Sequence, residues 1–375
     1  PRLHIALEVV IGEHHFKGIH DQWISTEKEN PFTGLDAFLA KYFGKHILIF
    51  IAYDVKNHIE DLQTNHNNDI GFPLIHCIIP AKKYSFKGFK PRKKTSDNHI
   101  QFEPKTSKKN YLETIGKIKN HIQKGDFYEA NFCYEWVSNV ENFNAKNVFE
   151  KLSNLTQAPY KVYADLEHHY VLSASPELFL KKRGDRLFSS PIKGTRKRMA
   201  NESSDNQIKK ELQDNGKERA ENIMIVDLVR NDLSKIAKRD SVKVEELCKV
   251  YTFKNIHQMI STISCDMKKN VTFSDIIKAT FPMGSMTGAP KLRVMELMDQ
   301  YEPSRRGLYS GSIGLIKPNG DFDLNVVIRT LIYNKAKQLL SFHVGGAITI
   351  QSSAVEEYEE TLTKAASLFK ACEND

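Results

Sequence analysis

Neither a disulfide framework nor a zinc centre is written into this chain. Its five cysteines, Cys77, Cys133, Cys248, Cys265 and Cys372, are odd in number, scattered and without a CxxC spacing, and they read as reduced thiols. No apolar run approaches the roughly 18 residues that a membrane helix requires. Residues 1–8 lack the pattern of a signal peptide, so a cytoplasmic protein with no membrane partner is expected. Internal repeats and low-complexity tracts are missing too, which sets aside solenoids and arrays. With 40% hydrophobic and 27% charged residues over 375 positions, the composition is that of an ordinary globular protein.

A net charge of +8 raises the question of nucleic acid, because Lys and Arg neutralise phosphates. The placement of the charge argues against that partner. The densest basic run, Lys90-Pro91-Arg92-Lys93-Lys94, has no interleaved aromatics and reads as a solvated loop, and elsewhere the signs alternate along helices.

The pattern of elements indicates an α+β fold. Residues 46–52 (HILIFIA) form a buried strand, and the polar stretch 87–109 forms a surface connection, placing a boundary near 105. Residues 1–105 are expected to complete the sheet system, and 106–375 to carry the catalytic region in one compact unit with them. Tyr111, Ile115, Ile118 and Ile122 recur at helical spacing until Gly125-Asp126, and a strand follows over 127–137. Residues 170–180 and 186–190 read as a β-hairpin about Arg183-Gly184-Asp185. A two-residue loop sets Glu177 opposite Ile192 and a three-residue loop sets it opposite Lys193, so Glu177 and Lys193 are neighbours in either register. Further helices are expected over 216–236 and 292–300, a Gly- and Thr-rich loop over 281–291, strands over 308–316, 322–333 and 338–350, and a terminal helix over 354–369. Meanders instead of regular βαβ units favour α+β.

Several side chains carry chemistry. Glu357, Glu360 and Lys364 share one helix face at i, i+3, i+7, and Glu218 and Glu221 are paired at i, i+3 on another helix. Two such helices suit Mg²⁺, which takes one or two protein carboxylates and completes its shell with water or substrate oxygens. The plain alternative is two solvated faces. Arg329 falls within an apolar strand pattern, where a charge needs an anion or a structural ion pair. Ser285 belongs to a Gly-Ser-Met-Thr-Gly stretch that lets backbone N–H groups approach a ligand. Lys193, confined between Pro191 and Gly194, is a candidate nucleophile or base, and Glu177 a candidate proton donor. A surface salt bridge between them is the plain alternative.

Five segments, SPELF (175–179), PIKGTR (191–196), AENIMIVDLVRND (220–232), MGSMTGAPK (283–291) and EYEETLTK (357–364), resemble the successive motifs of the chorismate-utilising enzymes, in order. The resemblance implies a two-sheet β-sandwich core wrapped by helices. It implies that Glu221 and Glu360 ligate Mg²⁺ with Glu357 and Glu218 close by, and that Arg329, Lys364 and Tyr309, with backbone N–H groups near Gly346, hold an enolpyruvyl carboxylate. Gly194 and Thr195 match a backbone carboxylate contact, and His257 and Ser285 match polar positions lining the ring pocket. The PIKGT form resembles the aminodeoxychorismate synthases, in which the residue matching Lys193 is implied to attack the ring with help from an acid matching Glu177. Anthranilate synthases usually carry Ala there, and the isochorismate and salicylate synthases carry a lysine base at the position of Glu129. Glu129 stands where aminating members usually have Gln, and Ala347 where a glycine is usual. The implied partners are chorismate and a separate glutamine amidotransferase subunit that supplies ammonia, because no Gly-x-Cys-x-Gly motif is present in this chain. An anthranilate synthase component, a silent binding subunit and a basic nucleic-acid-binding protein are the competing readings.

Overall fold

The computed structural model of the chain describes residues 8–373 except 26–28, 86–99, 157 and 255. The basic run at 90–94, most of the expected connection 87–109 and residues 1–7 lie outside the described residues. The first elements are β1 (Glu8–Ile11), β2 (His14–Ile24), α1 (Pro31–Lys41), β3 (Ile47–Ile51), α2 (Lys56–Ile59), β4 (Ile75–Ser85) and β5 (Glu103–Pro104). Next come α3 (Lys108–Lys124), β6 (Glu129–Asn139), α4 (Ala145–Thr156), β7 (Tyr160–Asp165), β8 (His169–Ser175), β9 (Leu178–Arg183), β10 (Arg186–Ser190) and β11 (Ile192–Lys197). They lead into α5 (Glu202–Asp214), α6 (Gly216–Ser234), β12 (Lys243–Thr252), β13 (Ile256–Asp266), α7 (Phe273–Thr280), β14 (Gly288–Ala289) and α8 (Lys291–Tyr301). The chain closes with β15 (Ser312–Ile316), β16 (Phe322–Asn325), β17 (Thr330–Asn334), β18 (Leu339–Ile348) and α9 (Ala354–Cys372).

All 18 strands belong to one hydrogen-bonded antiparallel system. It divides at β1, which pairs with β2 on one side and β7 on the other. One arm runs β2, β4, β3, β15, β16, β9, β10, β13, with β11 and β12 both on β13. The other runs β7, β8, β17, β18, β6, with β5 and β14 on β6. One apolar cluster takes Leu48, Phe50 and Ile313 from the first arm and Val162, Val171 and Ile332 from the second, so the two arms pack face to face as a sandwich. Strand alternation explains why β3 is apolar throughout: Leu48 and Phe50 face this inner layer, while Ile47, Ile49 and Ile51 face outward beneath α1, α6 and α7. A third cluster covers the outside of the other arm with α3, α4, α8 and α9.

Local rules place the helix ends. Ser107 caps α3 by accepting from Asn110 N–H, and Gly125 closes it at φ 83°. Two sheet expectations need correction. The segment 170–180 is interrupted at Pro176-Glu177, because proline has no N–H for the ladder and the Glu177 N–H turns to Ser175 Oγ at 3.2 Å. The segment 322–333 is likewise broken between β16 and β17, so Arg329 lies in an irregular link at φ 51° and not inside a strand. Strand β15 begins at Ser312 instead of 308, and β6 at Glu129 instead of 127. The hairpin has the two-residue loop, with Arg183 opposite Arg186, and a bulge between Phe188 and Ser190 sets Ser190 opposite Leu178.

Candidate active site

The two broken segments form the floor of a cleft of 530 Å³. Helix α6 and β11 bring Lys217, Glu218, Glu221, Lys193, Gly194, Thr195 and Arg196 to it, and α9 and β18 bring Glu357, Glu360, Lys364, Gly345 and Ala347. Between them stand Glu177, Ser285, Tyr309 and Arg329. The sandwich therefore gathers motifs that are far apart in sequence into one wall.

Lys193 is the electrostatic centre. Its Nζ donates to Glu129 Oε1 at 3.0 Å and lies 3.9 Å from Glu221 Oε2. Burial alone would lower its pKa, but Glu129, Glu221 and Glu177 outweigh burial and raise it above the ordinary lysine value. The amine is thus held charged by carboxylates, so a role as nucleophile or base requires that its proton first be removed. Glu177 is Coulomb-coupled to Lys193 as the hairpin suggested, yet the direct hydrogen bond of the amine goes to Glu129.

Glu177 is 6% exposed, and burial pushes its carboxyl up to about 7 against the opposing effects of Ser285, Lys193, the Ile192 N–H and Arg329. Ser285 Oγ donates to Glu177 Oε1 at 2.8 Å. A protonated carboxylic acid near neutral pH is the form a general acid needs. Arg329 is depressed by burial and partly restored by Glu177. Its left-handed backbone, φ 51°, costs roughly 1–2 kcal/mol for a residue with a Cβ, and Arg329 lines the cleft.

At the opposite wall, Lys364 Nζ donates to Gly345 O at 3.0 Å and to Glu360 Oε1 at 2.8 Å. A Cβ at Gly346 would stand 3.3 Å from Glu357 Oε2 and 3.6 Å from Lys364 Nζ, so the missing side chain leaves room for both groups. Gly194 has φ 81°, and a Cβ there would meet Leu212 and Glu218. Gln258 Nε2 reaches Thr195 Oγ1 at 3.4 Å. Tyr309 is 5% exposed and stacks on His343, with centroids 5.2 Å apart.

The carboxylates of α6 and α9 suit a hard cation in kind. Burial raises the pKa of both Glu221 and Glu357, and Glu218 and Glu360 respectively add to the rise, which a divalent ion between them would relieve. Glu360 stays low because Lys364 outweighs its burial. Among the described residues no three His, Cys, Asp or Glu side chains converge as a complete protein-only metal site. In kind, these carboxylates match an oxygen-preferring cation such as Mg²⁺, which takes one or two protein carboxylates.

One expected residue is elsewhere. His257 is 1% exposed, and its ring bonds to Asp205 Oδ1 and Thr252 Oγ1, each at 3.0 Å. It braces α5 against β13, and its strand neighbour Gln258 faces the cleft because adjacent strand residues point to opposite sides. The sequence reading passed over Gln258, His343 and Asn131, all cleft residues. Asn131 was legible in principle, since it lies two residues beyond Glu129 on the same face of β6.

Comparisons with known proteins identify the family and the fold. The profile of the family described as "chorismate binding enzyme" matches residues 11–370. This chain belongs to the chorismate-binding enzyme family. Within the family it is 33% identical to anthranilate synthase component 1 of Aquifex aeolicus, over 86% of this chain and 69% of that protein. It is 36% identical to aminodeoxychorismate synthase component 1 of Salmonella typhimurium, over 70% of this chain. The chain spans 58% of the Salmonella protein's length. Among solved structures, anthranilate synthase component I from Streptococcus pneumoniae TIGR4 superposes with a TM-score of 0.79 at 22% identity, covering 97% of this chain and 90% of that one. The menaquinone-specific isochorismate synthase from Escherichia coli superposes at 0.81 with 14% identity, covering 98% and 88%. The fold is thereby shared with an anthranilate synthase component and an isochorismate synthase. No helix among the described residues is long and apolar enough to cross a membrane.

Proposed function

We propose that this chain is an aminodeoxychorismate synthase component that converts chorismate and ammonia to 4-amino-4-deoxychorismate, on the route to para-aminobenzoate and folate. The observation that carries the reading is a buried lysine, Lys193, in the same cleft as a carboxyl whose pKa is raised to about 7, Glu177. In this reading the substrate's enolpyruvyl carboxylate pairs with Arg329 and Lys364 beside Tyr309, and its ring carboxylate faces Glu221 and Glu360. Glu221 and Glu360, with Glu357 and Glu218 beside them, would hold Mg²⁺, which would neutralise the charge of that ring carboxylate. The proton of Lys193 passes to Glu129, 3.0 Å away, and the freed amine attacks C2 of the ring. Glu177 protonates the C4 hydroxyl, which leaves as water while both double bonds of the ring diene shift by one position, from C2 towards C4. Ammonia then forms the bond at C4, both ring double bonds shift back, the C2–nitrogen bond to Lys193 breaks, and the released amine takes its proton back from Glu129. Ammonia comes from a separate glutamine amidotransferase subunit, and ammonium salts substitute for it in vitro.

Amination at C2 with loss of pyruvate is the second reading, favoured by the Aquifex relative, whose alignment covers more of this chain than that of the Salmonella protein. A mass-spectrometric assay with chorismate, ammonium chloride and MgCl₂ separates the two. The proposal expects an EDTA-sensitive product that keeps the enolpyruvyl group and carries nitrogen at C4. Anthranilate with pyruvate would replace it by the second reading, and an undiminished rate in Lys193→Ala would end the covalent role of Lys193.

A further inference from the structure

Tyr309 reaches the cleft from irregular chain. Residues 307–310 form a turn ahead of β15, and Ser310 has φ 60°, so no strand pleat sets the direction of the tyrosine ring. Burial raises the pKa of its phenol, which therefore keeps a proton to donate to an anion. The ring is faced by His343. The two planes are 16° apart with centroids 5.2 Å apart, an offset stack, and both residues line the cleft at 5% exposure each. The imidazole is itself held firmly. It stands on β18 directly opposite Glu135 of β6, and its Nε2 lies 3.4 Å from Ser304 Oγ. Glu135 in turn accepts from Ser341 Oγ and lies 3.0 Å from Lys105 Nζ. Burial, helped by Arg306 and Lys105, keeps the His343 pKa below the ordinary histidine value against Glu135 and Glu302, so the ring that Tyr309 meets is neutral. Two residues further along the same strand, Gly345 O accepts from Lys364 Nζ.

We infer that His343 is a positioning residue of the chorismate site, the plate that holds Tyr309 in the orientation in which its hydroxyl meets the enolpyruvyl carboxylate; the inference rests on the proposed role of Tyr309. A side chain carried on a turn has rotamers to lose when a ligand arrives. A rigid ring already stacked on it removes that loss beforehand, because His343 belongs to a strand paired along its whole length with β6. The role needs a flat ring and no ring nitrogen, which separates it from a hydrogen bond or a charge supplied to the substrate. A stack of this kind is worth about two- to ten-fold in affinity. Plate and lysine sit on one strand, so β18 lines up Tyr309 through His343 and Lys364 through Gly345 for the same carboxylate.

The test is steady-state kinetics of chorismate consumption by the full chain with MgCl₂ and ammonium chloride, a readout that counts amination at either carbon. The unaltered protein is compared with His343→Leu, His343→Phe, Tyr309→Phe and the double variant His343→Leu/Tyr309→Phe. Should His343→Leu fail to fold, His343→Asn, which also removes the ring, takes its place. The plate predicts that the KM for chorismate rises about two- to ten-fold in His343→Leu while kcat is unchanged. His343→Phe should restore the KM, and in the Tyr309→Phe background the leucine should add nothing, because the hydroxyl it would misdirect is gone. A leucine effect of equal size in both backgrounds overturns the inference. So does a phenylalanine variant as weak as the leucine one, which would give the role to the ring nitrogens, or a fall in kcat at constant KM, which would mean a structural effect alone. A raised KM in Tyr309→Phe with none in His343→Leu removes the plate and leaves the Tyr309 contact standing. An unchanged KM in Tyr309→Phe removes that contact, and the role of His343 with it.

Discussion

Replacing Glu177 by Gln is expected to make the protein more heat-stable and less active at once. The carboxyl is buried and its pKa is raised from 4.5 to about 7, so the folded chain holds this proton more tightly than the unfolded chain does. For a raised pKa the associated stability is fully present below about 4.5, is lost as pH climbs to about 7, and changes no further above that. At 1.36 kcal/mol per pH unit the loss at pH 8 amounts to about 3 kcal/mol, against less than about 1 kcal/mol at pH 5. Gln keeps an oxygen for the Ser285 hydroxyl but never ionises, so it escapes the loss. An unfolding entropy of roughly 2.1 cal/mol/K per residue gives about 0.8 kcal/mol/K for 375 residues. The Tm of Glu177→Gln should therefore exceed that of the unaltered protein by about 4 °C at pH 8 and by about 1 °C at pH 5. Catalysis should fall at least a hundred-fold, within the usual worth of a general acid. In the unaltered protein kcat/KM should decline about ten-fold per pH unit above 7. Calorimetry of both proteins across pH decides the matter: a Tm difference that stays flat or shrinks between pH 5 and pH 8 would mean that Glu177 is not a buried acid.

Arg306 is 2% exposed and donates to both oxygens of Glu302, to Met286 O at 2.7 Å and to Asn131 O at 2.8 Å, clamping two cleft segments together. Arg306→Met should cost about 3–5 kcal/mol by leaving the buried Glu302 carboxylate with the Cys133 N–H and thiol but no cation, read as a Tm drop of about 4–6 °C; Glu302→Leu added to it should restore part of the loss. At Gly288, φ is +151° and a Cβ would lie 2.0 Å from Glu129 O. Gly288→Ala should push β6 and Glu129 away from Lys193 and lower kcat/KM by more than ten-fold, while Gly116→Ala, with no atom within 4 Å of the added Cβ, should leave kinetics unchanged and stabilise α3 by about 0.5–1 kcal/mol.

Much of the helical frame and the motif order was legible in the sequence. Helix α6 and the terminal helix α9 fall where the periodicity set them, and Glu218, Glu221, Glu357, Glu360 and Lys364 all reach the cleft from those two helices. The strands were harder. A proline at 176 and an arginine at 329 look compatible with continuous strands in one dimension, and only the sheet partners show where the ladder stops. His257 was misplaced for a related reason, since sequence alone does not tell which of two neighbouring strand residues faces the cleft.

Local chemistry thus settled which residues would be polar, capped or paired along one helix face, because those interactions span at most a few residues and repeat with a fixed period. The tertiary structure decided which carboxylate meets Lys193. Glu129 and Lys193 are brought together from different arms of the sandwich, and their separation depends on how the arms pack. The acidity of Glu177 has the same origin: a carboxyl shifts to about 7 through the loss of water around it, and that loss is a property of the assembled core.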